Sequence, residues 1–361
     1  MEDTETTERL PRLRDNRWLI GIWVLVVLFA LVMVGRSIQV GVPIRDPGGA
    51  MLLRRIGMSL ATFAAFAMID AAIRSGRGRR SRAQIVATLR RRWRRDRLTV
   101  AVMGIIAYHL LYFTYRNLKS WVVFRGFHDG ALIDFEKAVF LGNSPASLLH
   151  GLIGEHISSY VIAVIYESFA YLQPASFIAA LVFAARIRDG FVFLAASMWG
   201  WVLGTASYYI IPSLGPFASD PADFDGLSRT FINGKQATLL ENREHLLQDP
   251  SAGDAFASIG AFASLHVGFT CLFVLMLRYY GLRRASQVMT VYLGATIIAT
   301  IYLGYHFVVD DIAGVAIAVL AVLFGRLLIY PRGGRTLALS RMRQRTDSEP
   351  GRPASLRKWW A

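Results

Sequence analysis

The sequence predicts an all-α, polytopic transmembrane helical bundle of about eight spans. Three observations lead there. Hydrophobic residues make up 54% of the 361-residue chain and the mean hydropathy is +0.40, above the roughly 45–50% apolar content of soluble domains. Those residues gather into long runs such as 18–35 and 191–211. Runs of about 18 residues or more can cross a hydrocarbon core of roughly 30 Å. Finally, the runs lack strand-type alternation, which discards a barrel and leaves the helix as the structure that satisfies its own backbone in lipid.

Taken in order, the apolar runs place spans at 18–40, 52–73, 98–116, 157–185, 190–211, 264–280, 286–305 and 308–330. Pro174 falls inside the fourth and predicts a kink or a break there. Segment 74–97 carries eleven arginines and one acid, which assigns it to the cytoplasm by the positive-inside rule. Alternation from that segment puts the turns 186–189 and 278–284, both arginine-bearing, on the same side. Both termini follow, so 1–17 and 331–361 are read as cytoplasmic tails, 18–97 as two N-terminal spans with a basic segment, and 98–330 as a six-span core. Run 18–35 has no small-residue cleavage site and reads as a retained first span of a cell-membrane protein.

The net charge of +15 first suggests nucleic acid, but the basic residues lie between and after apolar runs, as contacts to anionic headgroups do. Nucleic acid is therefore not expected as a partner; membrane lipids are. The single cysteine, Cys271, excludes an intrachain disulfide framework and a cysteine-based zinc site. Segment 90–97, with Trp93, reads as a basic interfacial helix, and Asp70 is expected to meet the arginine-rich segment.

Candidate chemistry gathers on the other side. Ser264-Leu265-His266 opens the sixth span and Gly304-Tyr305-His306 the eighth, with thirty-nine residues between the two histidines. That separation is the length of a helical hairpin, so both imidazoles are expected at one membrane level on neighbouring helices. His306 and Asp310 are spaced i, i+4, which predicts one helix face and a carboxylate that fixes the imidazole tautomer. Asp311 lies about 100° round the helix and is the poorer partner. Ser264, at a helix N-terminus, is a candidate phosphate seat.

These motifs resemble the type-2 phosphatidic acid phosphatase superfamily. Ser264-Leu265-His266 is similar to its PSGH-type second motif, and Tyr305-His306-(x)3-Asp310-(x)3-Gly314 to its third. The resemblance covers roughly 98–330. It is nearest to the branch of inositol phosphorylceramide synthases and related bacterial membrane proteins, which 208–216 and 115–119 also resemble. It implies a metal-free, cofactor-free phosphohistidine mechanism: His306 attacks phosphorus, Asp310 orients it, and His266 shuttles the proton. Several positions depart from the pattern. The first motif is reduced to Lys119-(x)5-Arg125, Thr300 replaces an arginine, and Ala263 and Leu265 replace proline and glycine.

The phosphate clamp must then come from Lys119 first, with Arg125 and Arg116, or from Arg229, Lys235 and Arg243 in the outer loop 212–263. Glu167, an intramembrane acid, either binds a substrate headgroup or pairs with Tyr112 or His109. Tyr302 is a further substrate-binding candidate, and the loop 212–263 is read either as a lid or acceptor-binding segment or as surface decoration. The implied function is phosphotransfer from a lipid-linked phosphate at the extracytoplasmic face. A phosphatase using water is the alternative. A transporter, scaffold or metal site are readings of other classes.

Overall fold

The computed structural model describes residues 17–75 and 81–331. The two tails and part of the arginine-rich segment, 76–80, lie outside the described residues. Among the described residues there is no strand, and seven helices are long and apolar enough to cross a membrane. These are α1 (Arg17–Val40), α2 (Leu53–Arg74), α4 (Arg95–Ser120), α7 (Ile157–Phe183), α8 (Ile187–Ile210), α12 (Arg283–Tyr302) and α13 (Val308–Ile329). Helix α11 (Leu265–Tyr279) has 15 residues, about 22 Å of helix. The sixth expected span is therefore present but short, because a buried extended segment precedes the helix. Helix α7 runs unbroken through Pro174, whose lost backbone bond does not end the helix where α2, α8 and α12 pack around it.

Helix α8 is apolar on nearly every face, and such a helix belongs at the centre. It packs against α4, α7, α11 and α13, while α1 lies on α4 and α2 closes against α4 and α7. Two ends result. At one, Arg92 and Arg97 donate to the carbonyls of Val182, Ala184 and Ala185, and Arg188 donates to the Ile329 carbonyl. The short helix α3 (Arg82–Arg92) belongs to this end and is held by a Ser81/Gln84 capping box. Asp70 meets Arg74 at 2.7 Å and Arg92 at 2.5 Å, as its position had suggested.

The opposite end carries more structure than a set of loops. Helices α5 (Asp129–Val139), α6 (Pro145–Ile153), α9 (Pro216–Ser219) and α10 (Phe231–Gln248) lie there, with a 3-10 turn at Trp121–Phe124 that prolongs α4. Helix α10 bridges this end: Gln236 donates to the Leu303 carbonyl at 2.8 Å, Lys235 pairs with Glu167 of α7, and Arg243 stacks over Phe127. Loop 212–263 is thus a folded layer.

Candidate active site

Residues 255–263 form one wall of the site. Ala255, Ala257, Ile259, Ala261 and Ala263 are buried while Phe256, Ser258, Gly260 and Phe262 are half-buried. That alternation is what an extended chain with one packed face produces. The wall is pinned by the Ala257 N–H to Ser120 Oγ (3.0 Å), the Ala261 N–H to the Ser213 carbonyl (2.9 Å) and the Ala263 N–H to Ser207 Oγ (2.9 Å). Its open face meets α4: Arg116 donates to Ser258 Oγ at 2.7 Å, and Gly260 lies beside the Lys119 stem.

The wall delivers the chain to Ser264, which caps α11 and sets His266 in its first turn. The histidine at the other motif is not on a helix. His306 lies in loop 303–307, Phe307 is the cap of α13, and Asp310 reaches back from the first turn to accept the Phe307 N–H at 3.0 Å. The single helix face expected for His306 and Asp310 gives way to an Asp310 side chain that accepts the Phe307 N–H, and the two residues still lie side by side. His306 Nδ1 is 3.4 Å from Asp310 Oδ2, long for a closed hydrogen bond but within the range that tightens when a substrate binds.

Helices α11 and α13 come together through two glycines. A Cβ on Gly314 would lie 2.3 Å from the Ser264 carbonyl oxygen, and one on Gly268 would lie 3.1 Å from the Gly314 carbonyl oxygen. The Ser264 N–H also donates to the Asp310 carbonyl at 2.9 Å. The two imidazoles consequently stand 6.1 Å apart between ring centroids. Tyr166 of α7 stacks on His266 at 4.2 Å and on Tyr305 at 4.4 Å, and Phe169 packs on His266 from the same helix.

Lys119, near the end of α4, is within Coulombic reach of both rings and rests 4.8 Å over Tyr208. Arg116 is one turn below it. Burial, with Lys119 adding to it, lowers the loop imidazole of His306 to about 3, so that ring is neutral with one nitrogen lone pair available. Asp129 accepts the N–H groups of Leu214 and Gly215 at 2.9 Å each. This holds the turn in which Gly215, at φ +98, lies against the Tyr305 carbonyl, a conformation that suits glycine.

Other candidates are placed elsewhere. Ser264 is fully buried; its hydroxyl accepts the Val267 N–H and meets the Asp311 carboxyl. Asp311 also takes the Thr300 hydroxyl at 2.9 Å, so both groups are engaged in the helix contact. Arg125 is exposed and points to the Tyr209 carbonyl at 3.5 Å, and Arg229 is exposed before α10. Tyr302 is fully buried, its hydroxyl donating to the Gly154 carbonyl at 2.8 Å. Glu167 pairs with Lys235, not with His109, which bonds Ser59, nor with Tyr112, which accepts from Arg116. Sequence reading passed over Tyr166, the 255–263 wall and Glu136 of α5, whose carboxylate accepts the Val308 N–H at the start of α13. Residues 255–263 mix alanine with phenylalanine, serine and glycine without an apolar/polar alternation, so neither the wall nor the stacking and the Glu136 contact was visible in the sequence.

Membrane-length helices that seat two histidines and a carboxylate at one end define a polytopic helical membrane protein. Residues 130–324, more than half of the chain, match the PAP2 superfamily, and the chain belongs to it. Membership places its chemistry among lipid phosphatases and phosphotransferases. Comparison with curated proteins and with solved structures returns no match. The matched residues include His266, His306 and Asp310 but begin after Arg116, Lys119 and Arg125.

Proposed function

We propose that the protein is a membrane phosphotransferase that moves a lipid-linked phosphate or phospho-alcohol group through a phosphohistidine. The carrying observation is His306 held 3.4 Å from Asp310 with His266 across a 6.1 Å gap. With the proton on Nδ1 facing Asp310, Nε2 of His306 attacks phosphorus as the P–O bond to the donor breaks. The departing oxygen takes the proton carried by His266. His266 then removes the proton of the acceptor hydroxyl, whose oxygen attacks phosphorus, and the P–N electron pair returns to His306. Lys119 stabilises the non-bridging oxygens as charge builds.

Transfer to an alcohol is favoured over water by α10 lying across this end and by the aromatic lining of Tyr166, Phe169, Tyr208 and Tyr305, which limit hydration of the intermediate. The synthase-like branch is part of the same proposal. The arginine-rich end is assigned to the cytoplasm and the chamber to the opposite, extracytoplasmic face of the cell membrane. Both termini would then be cytoplasmic.

The test is turnover of radiolabelled lipid phosphates by purified protein, with and without EDTA, beside His306→Ala. The variant should lose about 10⁴-fold or more, and wild-type protein quenched during turnover should carry an acid-labile, alkali-stable label. Retained turnover in His306→Ala would sink the phosphohistidine, and loss with EDTA would bring a metal mechanism forward. Product analysis with added alcohols separates transfer from hydrolysis.

A further inference from the structure

Three cations in and beside the chamber have no carboxylate. Among the described residues none of Arg55, Arg116 and Lys119 forms an ion pair. Lys119 is accounted for by the phosphate held between the histidines. The other two share Tyr112: the Arg55 guanidinium of α2 lies 4.6 Å over its ring, and Arg116 Nη1 donates to its hydroxyl at 3.4 Å. Each guanidinium has a buried Nε without a partner. Tyr112, Tyr115, Arg116 and Lys119 recur at helical spacing, so one face of α4 connects Arg55 to the histidines.

Two guanidinium groups around one ring repel each other, and both side chains are half-buried, which weakens the screening that bulk water would give. Such a pair is stable when an anion neutralises it, and guanidinium forks match phosphate oxygens. We propose that Arg55 and Arg116 form a second oxyanion subsite, so that the chamber holds two phosphate groups at once. This rests on the phosphate reading of the histidine pair. It also gives the two N-terminal spans, which lie outside the family match, a role in substrate selection. The second phosphate comes either in tandem on a lipid diphosphate donor or from an anionic acceptor; the chemistry recognised is the same.

Full-length protein in detergent micelles would be titrated calorimetrically with inorganic diphosphate and with orthophosphate. The wild type should bind diphosphate at least about tenfold more tightly than orthophosphate. Arg55→Gln should abolish that preference, and Arg54→Gln, on the exposed side of the same turn, should keep it. A preference that survives in Arg55→Gln, or that falls equally in Arg54→Gln, overturns the subsite. Because binding needs no turnover, a diphosphate preference that tracks Arg55 in a protein inert toward all lipid phosphates would spare the subsite and remove the phosphohistidine. In the active protein, a fall in the ratio of kcat/KM for farnesyl diphosphate over farnesyl phosphate in Arg55→Gln assigns the second anion to the donor. A rise in KM for glycerol 3-phosphate relative to glycerol assigns it to the acceptor. Neither change would overturn the proposal.

Discussion

Both ends of the bundle are cationic, but three cations beside the histidines lack the carboxylate or carbonyl partners that hold most of the others. At the arginine-rich end every described contact is internal. Asp70 takes Arg74 and Arg92, Asp189 takes Arg186 at 3.0 Å, and backbone carbonyls take Arg92, Arg97 and Arg188. At the chamber end Arg55, Arg116 and Lys119 meet hydroxyls and aromatic faces instead. A cation matched by a carboxylate or a carbonyl is scaffold, as Arg188 is although it also lies over Tyr330; under the proposal, the three without such partners await a ligand. Desolvated cations are too costly to keep without one of the two.

The largest effect that sharpens this contrast is expected at Lys119. Removing its charge with Lys119→Gln should lower turnover about 10²–10³-fold while leaving the thermal midpoint within a few degrees, since no partner is orphaned. A midpoint that collapses with activity would place Lys119 in the scaffold class. Next is Gly314→Ala. Its Cβ would press on the Ser264 carbonyl from 2.3 Å, so α11 and α13 must separate. The shift should cost roughly 1–3 kcal/mol of stability and about 10²-fold in turnover by misplacing His266 against His306. Unchanged kinetics would show that the glycine contact does not set the histidine gap.

How far the sequence anticipates this depends on the length scale of the interaction. Hydropathy is local and averaged over a span, so all eight apolar runs become helices near their expected places. The histidine pairing follows from hairpin length, and Asp310 stays beside His306 even though the loop displaces His306 from the helix. What depended on a specific tertiary partner was not legible. Glu167 met Lys235 from a helix in the outer layer rather than a residue of the third span, and Tyr302 turned inward to Gly154. Lys119 ranked ahead of Arg125 and Arg229 in sequence, but the 255–263 wall that runs past Ser120 and Arg116 beside it was a tertiary contact no local pattern announced.

The scaffold end supplies the matching test. Asp70→Asn leaves two guanidinium groups beside a neutral amide in a site where the carboxylate was 3% exposed. Stability should fall by about 3 kcal/mol, read as a lower thermal midpoint in detergent, while turnover per folded molecule changes less than twofold. A selective loss of turnover would mean that the two ends are coupled.

The smallest effect concerns the one acid that links the outer layer to the start of α13. Burial raises the Glu136 carboxyl from 4.5 to about 7; the Val308 N–H opposes that rise and nearby Asp310 adds to it. The folded protein therefore holds a proton here that the unfolded chain has released between about pH 4.5 and 7. Linkage then makes stability fall as pH rises through that window, after which the contribution levels off. Glu136→Gln keeps an amide oxygen for the Val308 N–H but cannot ionise. Its thermal midpoint should lose this component of the pH slope and exceed the wild-type value above pH 7. An unchanged slope would mean that Glu136 is already ionised when folded. A carboxylate tolerated beside Asp310 would then require a compensating positive charge close by.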